Sequence, residues 1–131
     1  MIHKVNTKYL NQMSFETEVD GFKLILSSEN EGPSPKKLML SSLGACTGID
    51  VVSILNKMRV EFSDFSVEID ANLTEEHPKI YNSVLVIYKI KVSEEFKEKV
   101  NHAIDLSVEK YCGVMEMFRM FSKVITEVVF L

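Results

Sequence analysis

The sequence predicts a single domain of the α+β class, with its elements in the order βββ-α-ββ-α-α-β. Three observations predict it. Alternating segments flank an Asp20-Gly21 pair in the first third of the chain. A long apolar run at helical spacing follows Ser34-Pro35. Two more alternating segments and a closing strand-like stretch then bracket a second helical region.

The first third reads as β. In "SFETEV", Phe15, Thr17 and Val19 fall on one face and Ser14, Glu16 and Glu18 on the other. Asp20-Gly21 is a hairpin signal, because both central residues of a type I′ turn need positive φ. "FKLIL" is the return strand and "SSENEGPSP" a loop. Ser34 suits a helix N-cap and Pro35 the first helical position, where no backbone donor is needed. The helix is expected to run to about Met58, roughly 36 Å at 1.5 Å per residue. Its apolar positions wrap most of the circumference, which predicts a buried helix. Ser41, Gly44, Ala45 and Gly48 form a small face, expected to admit close approach by another helix or a subunit.

"FSVEIDANL" alternates, with Phe65, Val67, Ile69, Ala71 and Leu73 expected inward. "TEEHPK" is a turn, and "IYNSVLVIYKIKV" a long strand. Ser93 is expected to cap a second helix whose Phe96, Val100, Ala103, Ile104, Val108 and Tyr111 share one face. "CGVMEMFRMF" reads as a short third helix beginning at Cys112, and "KVITEVVFL" closes the chain as a strand.

At 131 residues the chain fits one domain, 1–131, large enough to bury a core without metal or disulfide staples. The net charge of −4 and the lack of a basic stripe disfavour nucleic acid and anionic membrane as partners. The N-terminus lacks an apolar signal region, and no stretch reaches the roughly 20 uninterrupted apolar residues of a membrane span. Two distant cysteines make no secreted disulfide framework, so a cytoplasmic protein is expected. His3, His77 and His102 are scattered without metal-ligand spacing; no metal or other cofactor is expected.

Two readings stand for Cys46. It is a small core filler, or a nucleophile in a dry place. Asp50 lies at i+4 on the same helix face, where a free carboxylate raises the thiol pKa. A reactive Cys46 therefore needs a cation from elsewhere, or an Asp50 engaged by another group. Cys112 sits at a helix start, which favours thiolate; the alternative is a junction residue packed under Tyr111.

"GPSPKKLMLSSLGACTGIDVVSIL" together with "SVEKYCGVMEMF" resembles the OsmC/Ohr family of osmotically inducible and organic-hydroperoxide-resistance proteins, over nearly the whole chain. The resemblance is to its short, poorly characterised OsmC-like branch. It implies an intertwined homodimer with two central helices back to back. It also implies thiol peroxidase chemistry: Cys46 becomes a sulfenic acid, Cys112 condenses with it to a disulfide, and a dithiol reductant resets the pair. Leu43, Ile49, Met115, Met117 and Phe118 could form the apolar wall for an organic hydroperoxide, although the methionine/phenylalanine cluster taken alone reads as ordinary core.

The sequence departs from that pattern at both helper positions. No arginine precedes Arg59, and Lys36 or Lys37 stands where the family carries a glutamate. Lys4, Lys8, Lys23, Lys36, Lys37 and Arg119 are the remaining candidates for a cation near Cys46, although lysine lacks the bidentate fork of arginine. Lys36 and Lys37 also oppose the helix dipole. They serve either an anion or acidic partner, or they are simply solvated. Three functions stand as expectations: a weak or specialised peroxidase of organic hydroperoxides, a non-catalytic module binding a small ligand, or a dimer with two inert buried thiols.

Overall fold

The computed structural model describes residues 1–131. The strands and α-helices come in the expected order, and the chain divides into two compact units, Met1–Leu40 and Ser41–Leu131.

The first unit is an antiparallel meander of β1 (Asn6–Asn11), β2 (Ser14–Val19) and β3 (Phe22–Ser27). Asp20 and Gly21 take φ of 51° and 83°, and Val19 pairs with Phe22 across them, so the expected turn is formed. Ser14 and Thr17 are buried, while Phe15 and Val19 are exposed. Hydroxyl pairing decides this: Ser14 Oγ donates to Glu31 Oε2 at 2.9 Å, and Thr17 Oγ1 meets Thr7 Oγ1 at 3.0 Å.

Helix α1 (Pro35–Lys57) starts where Ser34 and Pro35 predict, with the Leu38 N–H donating to the Ser34 carbonyl. It is not buried all round. Only Leu43, Thr47, Val51 and Leu55, a stripe repeating every four residues, are fully buried. Met39 and Ile49 are exposed, and Ile49 keeps 69% of its surface. By length and apolarity alone α1 is sufficient to cross a membrane. Its buried stripe is instead bonded into the protein through Thr47.

The second unit holds a sheet of order β4-β5-β6: β4 (Ser63–Leu73), β5 (Tyr81–Lys91) and β6 (Lys123–Phe130). β4 runs antiparallel to the central β5, and β6 runs parallel to it. A parallel neighbour needs a long crossover, supplied here by α2 (Lys97–Leu106), a π-turn (Ser107–Tyr111) and α3 (Gly113–Arg119). β4 alternates as expected through Ala71, but Leu73 is exposed at its end. Within the chain, Gly44 and Gly48 of the small face of α1 meet strand β4, while Ser41 and Ala45 are exposed. A Cβ on Gly44 comes 3.6 Å from Ile69, and one on Gly48 comes 3.7 Å from Val67.

Two helix-start expectations also shift. Ser93 precedes a 3-10 turn, Glu94–Phe96, and its side chain makes no cap bond. Tyr111 leaves the expected buried face and is exposed, because the π-turn adds backbone per turn and rotates the side chains at its C-terminal end. Ser107 is buried in that turn, behind Val100, Ala103 and Ile104 of α2.

The contacts at Gly44 and Gly48 are ordinary van der Waals distances, so neither glycine is required by the packing of this chain. Gly44→Ala and Gly48→Ala are each expected to stabilise the protein by up to about 1 kcal/mol through helix propensity, read from urea midpoints. A loss of stability in either variant shows instead that a second backbone approaches this face.

Candidate functional site

The site grows from the buried stripe of α1. Thr47 is fully buried at its centre, one residue from Cys46 and three from Asp50. A buried hydroxyl on an apolar stripe needs partners, since an unpaired one costs about 1–3 kcal/mol. Thr47 Oγ1 has two: Tyr88 OH at 2.6 Å from β5, and Ser107 Oγ at 2.8 Å from the π-turn. Ser107 Oγ in turn reaches Asp50 Oδ2 at 3.0 Å.

The direction of this chain is set by its end. An ionised carboxylate only accepts, so Ser107 donates to Asp50, Thr47 donates to Ser107, and Tyr88 donates to Thr47. Tyr88 suits the donor end. Burial pushes its phenol up to about 12 against the pull of the Thr47 bond, and the charges of Cys112 and Asp50 push the same way as burial. Three hydroxyls thus deliver one hydrogen bond to the Asp50 carboxylate.

The π-turn ends at Cys112. Its backbone N–H donates to the Ser107 carbonyl at 2.8 Å, and its backbone is extended, with φ −79° and ψ 102°. That conformation makes Cys112 the N-cap of α3, and its Sγ accepts from the Met115 N–H at 3.4 Å. The neighbouring Cys46 thiol helps to push the Cys112 thiol up. Both thiols are free, with Cys46 half-buried and Cys112 buried.

Of the two readings of Cys112, burial opposes the thiolate one. Burial pushes the thiol from 9.0 up to about 11. The Met115 N–H pulls down, as a helix start should, but the Cys46 contact and the Asp50 charge add to burial. Cys112 is held as a neutral thiol.

The remaining candidates separate clearly. Leu43, Met115 and Phe118 are buried in the second unit, while Ile49 and Met117 are exposed. Arg119 is committed elsewhere: Nη1 donates to the Val108 carbonyl and Nη2 to Glu116 Oε2, each at 2.6 Å. It ties α3 to the π-turn. Lys36 and Lys37 are exposed in the first turn of α1, and Lys4, Lys8 and Lys23 are exposed in the first unit. A groove of ≈ 460 Å³ opens beside Asp50, with Ser53, Ile54, Lys57, Leu106 and Tyr111 along it. No three His, Cys, Asp or Glu side chains cluster as metal ligands.

Sequence reasoning missed Thr47, Tyr88 and Ser107. A signal existed for one of them, because Thr47 interrupts the four-residue repeat of Leu43, Val51 and Leu55.

The raised pKa values set the alkaline stability. A folded-state pKa above the unfolded one stabilises fully below the unfolded value and is lost as pH rises through the folded value. For Cys112 that window runs from 9.0 to about 11, and for Tyr88 from 10.0 to about 12. Thermal melts under reductant are expected to fall progressively above pH 9. In Cys112→Ala the loss between 9 and 11 is expected to shrink, leaving the later Tyr88 component.

The comparisons with known proteins agree with this fold. A family model described as OsmC-like protein matches residues 28–127. Protein YhfA of Escherichia coli K12 is 32% identical over 117 residues, covering 87% of each chain. The crystal structure of a hypothetical protein from Aquifex aeolicus superposes with a TM-score of 0.85 at 29% identity, over 100% of this chain and 98% of that one. OhrB of Bacillus subtilis, an organic hydroperoxide resistance protein, superposes with a TM-score of 0.66 at 16% identity over 98% of each chain, a likeness of fold. Because the family model spans most of the chain and the curated relative covers a similar share, the protein belongs to the OsmC-like family.

Proposed function

We propose that this chain is a thiol-dependent peroxidase acting on organic hydroperoxides, with Cys46 as the attacking residue and Cys112 as the resolving one. The observation that carries the reading is a pair of free thiols, one half-buried and one buried, with Cys46 among the groups that push the Cys112 thiol up. Some members of the family are organic hydroperoxide resistance proteins, which supports the substrate class.

The steps balance in atoms and electrons. The Cys46 thiolate attacks the outer oxygen of ROOH, the O–O bond breaks, and the departing alkoxide takes a proton to leave as ROH. Cys46 is now a sulfenic acid. The Cys112 sulfur attacks the Cys46 sulfur, the S–O bond breaks, and the hydroxide leaves as water. A dithiol reductant then returns both cysteines to thiols by exchange.

The working unit in this reading is a cytoplasmic homodimer of the 1–131 domain. Apolar surface left open in the single chain supports a partner copy: Phe22 is 75% exposed and Met120 78%. A second reading is a module that binds a small ligand without turnover. It is favoured by the commitment of Arg119 to Glu116 and Val108, which leaves no arginine bound to the thiols, and by the groove beside Asp50.

Reduced protein mixed with cumene hydroperoxide or hydrogen peroxide separates the two readings. The peroxidase is expected to lose its free thiols faster with the organic peroxide and to form an intramolecular disulfide, both abolished in Cys46→Ser. Thiols that persist for hours in excess peroxide sink the peroxidase and leave the binding module.

A further inference from the structure

Resting on the peroxidase reading, the geometry points to Asp50 as the base that takes the Cys112 proton when the disulfide closes, with Ser107 and Thr47 as the residues that position it. The problem it solves is specific. Condensation needs Cys112 to act as a nucleophile, yet burial holds this thiol protonated across the physiological range. Something must remove the proton during attack.

Asp50 is the carboxylate at hand. It sits one helical turn from Cys46, and its charge is felt by the Cys112 sulfur and by the Tyr88 phenol. Ser107 straddles the two partners. Its carbonyl holds the Cys112 N–H at 2.8 Å and its hydroxyl holds Asp50 Oδ2 at 3.0 Å. One oxygen of the carboxylate is thereby fixed by the chain from Tyr88 through Thr47, and the groove beside it is shared with Lys57 and Tyr111. These groups, with the two thiols, are the titratable neighbours of the carboxylate.

A carboxylate is a weak base beside a thiol at rest. It is sufficient during attack. As Cys112 donates an electron pair to the sulfenic sulfur of Cys46, its S–H becomes strongly acidic, and the proton passes to Asp50. The S–O bond breaks, and the departing hydroxide takes the proton from Asp50 and leaves as water. The cycle ends with Asp50 ionised, one S–S bond formed and one S–O bond broken. At rest burial keeps Cys112 protonated, and the Asp50 charge adds to it in the same direction.

The test tracks the two steps separately in the full chain, using stoichiometric cumene hydroperoxide, dimedone trapping of the sulfenic acid by mass, and disulfide formation in a quenched reaction. Asp50→Asn is expected to form sulfenic acid at the wild-type rate or faster. Its disulfide step is expected to slow by about 10²-fold or more, the scale of general-base catalysis, so the sulfenic acid accumulates. The pH profile distinguishes chemistry from structure. Disulfide closure in the wild type is expected to be flat from about pH 7 to 9, and in Asp50→Asn to climb with pH toward the Cys112 ionisation. Closure in Asp50→Asn within twofold of wild type, with the same flat profile, overturns the assignment while the peroxidase stands. Where Asp50→Asn does not fold, Ser107→Ala carries the test, because it leaves the carboxylate but unties it. Slowed closure is expected there, and an unchanged rate overturns the inference. A wild-type Cys46 that never forms a sulfenic acid overturns this inference and the peroxidase reading together.

Discussion

The structure depends on a constraint set by one residue: the hydroxyl of Thr47, buried on an otherwise apolar helix stripe, must be hydrogen-bonded. Its two partners come from different elements, Tyr88 in the central strand and Ser107 in the π-turn. A single side chain therefore fixes the long helix against the sheet and against the crossover. Satisfying it brings Ser107 onto Asp50 and leaves Cys112 at the end of the turn, beside Cys46. An apolar residue at position 47 fills the same volume but removes the reason for Ser107 to be buried.

The same arrangement explains why no cation is needed to hold the site together. Asp50 is the formal charge next to the thiols, and its charge is answered by a directed chain of neutral hydroxyls rather than by a lysine or arginine. Arg119, the one arginine in the crossover, serves the backbone instead, since it closes on the Val108 carbonyl that the π-turn exposes. The electrostatic outcome is a buried Cys112 thiol held protonated, a different balance from an arginine-activated thiolate. Chemistry in such a site is governed by when the proton can leave.

Much of this was legible in the sequence, and the failures have common causes. Turn chemistry placed the Asp20-Gly21 hairpin, and Ser34-Pro35 placed the start of α1 to the residue, because both signals are local. The two cysteines were legible as a pair only through their surrounding motifs, since no periodicity relates a mid-helix residue to one at a helix junction. The π-turn left no signal, so the helical phase drawn through Val108 carried Tyr111 wrongly into the core. The exposed apolar residues of β2 and α1 have a different reason. Alternation and helical spacing identify apolar surface, but they do not say whether the same chain covers it, and Phe15 and Ile49 remain uncovered. The helix start at Cys112 has a real effect on its thiol that burial outweighs.

The claim on which the rest turns is that Cys46 and Cys112 touch. Mild oxidation of the reduced chain with diamide tests it most directly, because disulfide closure requires the two Cα atoms to lie within roughly 7 Å. The account predicts rapid closure of one intramolecular Cys46–Cys112 bond, seen as the loss of two hydrogens from the intact mass and a linked peptide pair after digestion. Two thiols that stay free, or that link only between chains, contradict it.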